Sequence, residues 1–157
     1  MTDQADLPAP ARRVRAALHD AGLEIDIVAT GVSARTAEEA AQAVGAPVGA
    51  IVKSLVFLQD GDPVLLLVSG SNRVAAKQLG LQRADADAVR AATGYAIGGI
   101  PPLGHATPIT VRCDEDLLRF DVVWAAAGTP HHVFPIAPAD LVRVTGAEVG
   151  ELAERSA

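Results

Sequence analysis

Aromatic residues are scarce, at 3% of the 157-residue chain. With one Trp, one Tyr and three Phe, the chain has no supply of rings for a base-stacking platform of the RRM or single-strand-binding type. One cysteine, Cys113, cannot close an internal disulfide, and the cytoplasm is the expected compartment. No apolar run approaches the roughly 18–20 residues of a membrane span. The N-terminal MTDQADLPAP is polar and slightly acidic, unlike a signal peptide with a basic start and an apolar middle. Positive charge is also short: 13 Lys and Arg stand against 19 Asp and Glu, a net charge of −6. Tight, nonspecific gripping of many phosphates is therefore not expected, although a local basic pocket around one nucleic-acid end is compatible with this balance.

Aliphatic residues are plentiful. Half of the chain is hydrophobic, enough for one substantial core of Ala, Val, Leu and Ile in a domain of this size. No repeat, low-complexity run or linker interrupts it, so residues 1–157 read as one domain with its core at about 24–151. The spacing predicts helices over 10–22, from Thr36 to near Gly45, over 73–79 and 84–92, and short closing helices over 139–144 and 148–154. Thr36 followed by Glu39 is a capping-box signature. Strands are expected over 24–29, near 95–97 and over 108–112. Hairpins are expected for 50–59 with 63–69 across Asp60-Gly61-Asp62, and for 122–126 with 131–136 across Gly128-Thr129-Pro130. Residues 114–118 read as one helical turn. The class is α/β or α+β: a mixed, mainly antiparallel sheet flanked by helices.

The segment AIVKSLVFL at 50–58 sets the functional question. Alternation places Ile51, Lys53, Leu55 and Phe57 on one face and Val52, Ser54, Val56 and Leu58 on the other. Both faces are largely apolar, so the strand is expected to be central. An unpaired ammonium there loses several kcal/mol of hydration or loses its proton. Two readings follow: an edge lysine whose head reaches water along an apolar stem, or a lysine at the floor of a pocket, reserved for an anionic or carbonyl ligand.

Other strings carry their own pairs of readings. In Gly94-Tyr-Ala-Ile-Gly98-Gly99-Ile-Pro101-Pro102-Leu-Gly104-His105, Gly98 and Gly99 let a ligand approach the backbone and free two N–H donors, which can polarise a carbonyl. Alternatively they form a tight turn. Ser69-Gly-Ser-Asn72-Arg73 ends a strand. Ser71 or Asn72 can cap the next helix, or Ser69 and Asn72 can line a pocket with Arg73 as a phosphate contact. In Gly128-Thr129-Pro130-His131-His132 the adjacent histidines face opposite ways. No Cys or His partner stands at ligand spacing, so no metal is expected and one histidine, His131, is assigned to the pocket. Cys113 has no nucleophile signature, and neither GxSxG nor HExxH occurs.

Taken together, Ile51-Val-Lys53-Ser-Leu-Val-Phe57, Gly94-Tyr95 through Gly98-Gly99-Ile-Pro101-Pro-Leu-Gly104, Ala127-Gly-Thr through Pro135, and Asp140-Leu141 resemble the YbaK/ProX family in that order. This family comprises free-standing relatives of the editing domain inserted in bacterial prolyl-tRNA synthetases. The resemblance runs from about Thr36 to Glu151 and is strongest to the ProX-type branch through SGSNRV and GGIPPLGH. It implies an aminoacyl-tRNA deacylase that acts without metal or other cofactor on mischarged tRNA, tRNA-Pro in the family's usual case, with prolyl-tRNA synthetase as a further partner. It implies Lys53 as the essential residue positioning the substrate's 3′ end and Gly98 as the backbone donor to the aminoacyl group. Gly99, Gly128 and Thr129 complete the expected binding wall. Water attack would be helped by the terminal adenosine's own hydroxyl.

The sequence departs from the cysteine-editing pattern, which has a tyrosine in the early strand–loop region and an aspartate after the AGTP-like turn. Residues 24–34 contain no tyrosine, and the later segment reads His-His-Val-Phe. Alanine, serine, threonine or a nonprotein amino acid therefore remain open as the group removed. The rival functions are a noncatalytic module that binds an aminoacyl or nucleotide group or a synthetase, and a small-molecule esterase.

Overall fold

The computed structural model of the chain describes residues 2–155. Local signals place the helices. After a 3₁₀ turn at Gln4–Asp6, α1 covers Ala9–Asp20 with Pro in its first turn. It buries Ala11, Val14 and Leu18 along one stripe. The short β1, Val28–Ala29, follows. Then comes α2, Ala37–Val44, with both halves of the Thr36–Glu39 capping box formed and Gly45 in the left-handed conformation at its end. Strands β2, Val52–Gln59, and β3, Asp62–Ser69, form the expected hairpin. Asp60 and Gly61 both have positive φ, as a tight primed turn requires. The remaining elements are β4, Gln82–Arg83; α3, Ala86–Thr93; β5, Thr110–Asp114; β6, Val123–Ala126; β7, His132–Ile136; α4, Pro138–Thr145; and β8, Glu148–Gly150.

The strands form two sheets, one ordered β4-β2-β3-β5-β8 and one ordered β1-β7-β6. Four ladders are antiparallel and two, β3 with β5 and β5 with β8, are parallel. A bridge between Ile51 and Trp124 ties the sheets together. The architecture is α+β with mixed, mainly antiparallel sheets. No helix among the described residues is long and apolar enough to cross a membrane.

The central strand is β3, not β2. All residues from Val64 to Ser69 are buried. Its side chains feed two cores: Leu65 and Leu67 pack with α1, Phe134 and Leu141 on one side, and Val64, Leu66 and Val68 pack with Val74, Leu81 and Leu152 on the other. Each fully buried leucine here contributes about 1.5–3 kcal/mol of transfer free energy. On its far side, β2 is laddered to β4 only at Phe57 and Leu58. At the Lys53 end, β2 is laddered on one flank, where Lys53 faces Val68, and on the other only Ile51 is bridged, to Trp124 of β6.

Four segments differ from expectation. Residues 73–79 are not a helix. Val74 bridges Ala153, and the Ala75 N–H donates to Leu152 O at 2.9 Å, so the chain is drawn out against the C-terminal segment and then closes one turn at Gly80. Residues 148–154 begin as strand β8 rather than as a helix, because β5 offers Glu148–Gly150 a parallel ladder. Residues 95–97 are loop: the Tyr95 N–H is taken by Thr93 Oγ1 at 3.1 Å and its phenol donates to Gly104 O at 2.9 Å. Of 24–29 only Val28 and Ala29 pair with β7. The backbone of Ile27 is satisfied instead by the Gln4 side chain, through bonds of 2.8 and 2.9 Å.

Candidate active site

Where the β2 flank is open, a cavity of about 480 Å³ forms. Its walls are the N-terminal turn of α2 with Arg35 and Glu38, the start of β2 from Ile51 to Leu55, Gly98 and Ile100 of the glycine loop, and Trp124 to Ala126 of β6. Lys53 and Gly98 thus share one cavity, although they lie far apart in the sequence. Lys53 is half-buried, and its Nζ donates to the backbone carbonyl of Asn72. Burial lowers its pKa from the ordinary lysine value, as does the neighbouring Arg73, while Glu38 and Asp114 pull the other way.

Gly98 has φ +101, and an added Cβ would sit 3.4 Å from the Arg35 stem. The Arg35 side chain therefore lies over this glycine at the cavity wall. The Gly98 N–H makes no hydrogen bond among the described residues, whereas the Gly99 N–H is spent on Ala96 O at 3.2 Å. Of the two glycine N–H groups that the sequence suggested as donors, the one at Gly98 is left unspent. Gly99 serves packing: a Cβ there would meet the Thr129 backbone at 2.8 Å. Gly128, at φ +93, lets Pro10 approach, since a Cβ would lie 2.8 Å from its carbonyl oxygen.

The other sequence-derived candidates lie outside the cavity lining. Ser69 is buried, donates its hydroxyl to Gly49 O at 2.7 Å, and gives its N–H to Asp114 Oδ2 at 3.1 Å. The Asn72 side chain caps no helix; its amide nitrogen donates to Asp114 and Asp116 at 2.8 and 2.7 Å. Arg73 is exposed and reaches Lys53 only through its charge. Thr129 bonds His132 Nδ1 at 2.6 Å and accepts the His131 N–H at 3.1 Å, while the His131 ring is exposed. Burial, then the neighbouring His131, lowers the His132 pKa.

Four lining residues carry no local sequence signal of a site. Arg35 and Glu38 flank the capping-box threonine, so a strong helix-start signal stood beside them. Gly70 is needed because a Cβ would lie 2.3 Å from Val48 O. Ser54 Oγ is buried without a hydrogen-bond partner among the described residues, although the residue lines the cavity. Cys113 is buried in β5, and desolvation, then Asp114, raises its thiol pKa to about 11, the opposite of an activated nucleophile. Among the described residues no three His, Cys, Asp or Glu side chains converge as metal ligands.

Lys53, the unspent N–H of Gly98 and an apolar wall are the groups that this cavity brings together, a set chemically suited to an electron-rich or anionic group. A solved structure described as a candidate trans-editing enzyme for prolyl-tRNA synthetase superimposes with a TM-score of 0.88 at 48% identity, over 96% of this chain and 100% of that one. YwhH of Bacillus subtilis is 31% identical over 125 residues, 75% of this chain and 80% of its own length. The proline–tRNA ligase of Nitratidesulfovibrio vulgaris is 38% identical over 98 residues, 58% of this chain but 17% of the ligase. The family model of the aminoacyl-tRNA editing domain matches residues 32–144. That span opens just ahead of α2, closes in α4 and includes every wall of the cavity, and the chain belongs to the aminoacyl-tRNA editing domain family.

Proposed function

We propose that the chain is a trans-acting deacylase that hydrolyses the ester between a wrong amino acid and the 3′ end of tRNA, with tRNA-Pro as its preferred carrier. The observation that carries this reading is that Lys53 and Gly98, the latter with its N–H unspent, line one cavity. Membership of an editing family supports the reaction class. The likeness to prolyl-tRNA ligases and to the trans-editing structure supports the carrier and a functional link to prolyl-tRNA synthetase. Such a reaction belongs where tRNA is charged, in the cytoplasm.

An aminoacyl ester is already activated, so positioning and charge stabilisation suffice for much of the rate. Lys53 holds the terminal nucleotide by its charge. Gly98 donates to the carbonyl oxygen as it gains negative charge. Water adds to the carbonyl carbon, the bond to the ribose oxygen breaks, and the water's proton passes to that oxygen with the neighbouring ribose hydroxyl as relay. Free amino acid and deacylated tRNA result. The apolar wall of Ile51, Ile100 and Trp124 sieves side chains by size.

Deacylation of Ala-, Ser-, Thr- and Cys-charged tRNA-Pro, measured side by side, tests this function. Lys53→Ala is expected to slow the preferred substrate by about 100-fold or more while circular dichroism and melting stay native-like. Wild-type rates in that variant would remove Lys53 from the chemistry. Tight binding of all four substrates without turnover by the native protein would favour the binding-module alternative.

A further inference from the structure

The contact that fixes Lys53 does not come from a side chain. Its Nζ donates to the main-chain carbonyl of Asn72, in the segment that turns back after β3. That segment is closed by Gly70 N–H to Ile51 O at 2.7 Å and by Asn72 N–H to Ser69 O at 2.9 Å. Neither bond is made by the Asn72 carbonyl itself. On its far side the chain is pinned by the Glu154 N–H donating to Arg73 O at 2.8 Å, and at Asn72 the side chain is gripped from the end of β5.

Its amide nitrogen lies 2.8 Å from Asp114 Oδ2 and 2.7 Å from Asp116 Oδ2. Only the NH₂ end can face two carboxylates, since the amide oxygen would be repelled by both. The grip is itself braced. Asp114 is fully buried and also takes the N–H groups of Ser69 at 3.1 Å and Asp116 at 3.0 Å. Asp116 accepts two bonds of 3.2 Å from Arg155. Arg119 stands 3.3 Å from its other oxygen, close enough for charge attraction but misaligned for a hydrogen bond. Hydrogen bonds to ionised groups in a place of low polarity are short and directional.

We propose that Asn72 is a positioning residue, whose side chain, locked between Asp114 and Asp116, aims its own backbone carbonyl so that the Lys53 ammonium is held at the cavity. This rests on the reading of Lys53 as the substrate-holding cation. Asn72 then acts on the reaction only through Lys53, and the carboxylate pair 42 and 44 residues downstream is the remote anchor of the site.

A double-mutant cycle tests it. Asn72→Ala should lower kcat/KM by about 10- to 100-fold, through a higher KM as well as a lower kcat, because a displaced Lys53 both holds and aligns the substrate less well. In the Lys53→Ala background, single-turnover rates should fall by less than about twofold on adding Asn72→Ala. A full additional loss in that background would overturn the proposal, as would a folded Asn72→Ala enzyme of native rate. Asn72→Ser, which keeps one donor, carries the same cycle where the alanine variant does not fold.

A second readout does not depend on activity. The chain has two lysines, Lys53 and Lys77, so reductive ¹³C-dimethylation gives two resolvable side-chain signals, assigned with Lys77→Arg. The Lys53 signal should move toward the solvent-exposed position of Lys77 in Asn72→Ala. An unmoved signal would overturn the proposal. A Lys53→Ala enzyme of native rate would instead refute the catalytic reading of Lys53, leaving this arm to decide the geometry.

Discussion

At neutral pH the Lys53 ammonium stands half in the cavity wall, and the linkage between proton binding and folding makes its cost measurable. Burial is the largest influence on it and lowers its pKa below the ordinary 10.5, ahead of the opposing pull of Glu38 and Asp114. Below the lowered pKa both folded and unfolded chains carry the proton, and the folded state bears the full cost of the buried charge. As pH rises through that value toward 10.5, the folded chain releases the proton first. The unfolded chain then binds more protons, so stability rises with pH. Lys53→Met removes the titration and keeps the length and much of the shape. The stability of the wild type relative to Lys53→Met should therefore climb between neutral pH and about 10.5. Urea melts of both proteins across that range check this. A constant difference would mean that the ammonium is as well solvated folded as unfolded, and a falling one that the fold stabilises it; either would contradict the burial cost. Ser54 follows the same pattern on a neutral group: a buried hydroxyl on the cavity wall without a partner among the described residues costs folding free energy.

The glycine loop shows how one element holds the site by packing. Gly99 has no room for a side chain, because a Cβ would press within 2.8 Å of three Thr129 backbone atoms, and backbone cannot swing aside. Gly99→Ala should destabilise the fold by about 1–3 kcal/mol, a fall of several degrees in Tm for a chain of this length. It should also slow hydrolysis by shifting Gly98. Gly150→Ala is the control: nothing lies within 4 Å of its Cβ, and a change within about 0.5 kcal/mol is expected. Equal Tm values for the two variants would refute the close approach. The same scale explains what the sequence made legible. The Thr36–Glu39 box and the Asp60-Gly61 turn were readable because both partners lie within four residues. The extended run at 73–79 and strand β8 were not, because each is made by pairing with a distant segment: Val74 with Ala153, and Glu148–Gly150 with β5. Likewise the place of Lys53 and Gly98 on one cavity could be expected from motif order, but the capture of Asn72 by Asp114 and Asp116 depends on β3 and β5 lying side by side. No local spacing reports that.

Charge over the whole molecule bears on how such a site meets tRNA. The net charge is −6, and the cations at the cavity are few: Lys53 and Arg35 on its wall and Arg73 beside Lys53. With so few cations at the cavity, the grip on substrate is expected to be confined to the single-stranded 3′ end. Each phosphate neutralised on a single strand contributes a slope of roughly −0.7 to the dependence of log affinity on log salt. One or two contacts therefore predict a slope of about −0.7 to −1.4 for kcat/KM between 50 and 200 mM salt, far shallower than that of a duplex-gripping protein. Arg35 is exposed, carries no ion pair among the described residues, and lays its stem over Gly98. Arg35→Gln keeps that stem and removes the charge, so it should flatten the slope by about 0.7 while leaving kcat at saturating substrate within about twofold. Deacylation kinetics of the two proteins across the salt series measure both quantities. A slope steeper than about −3 in the wild type, or one unchanged by Arg35→Gln, would show that phosphates are gripped elsewhere on the surface.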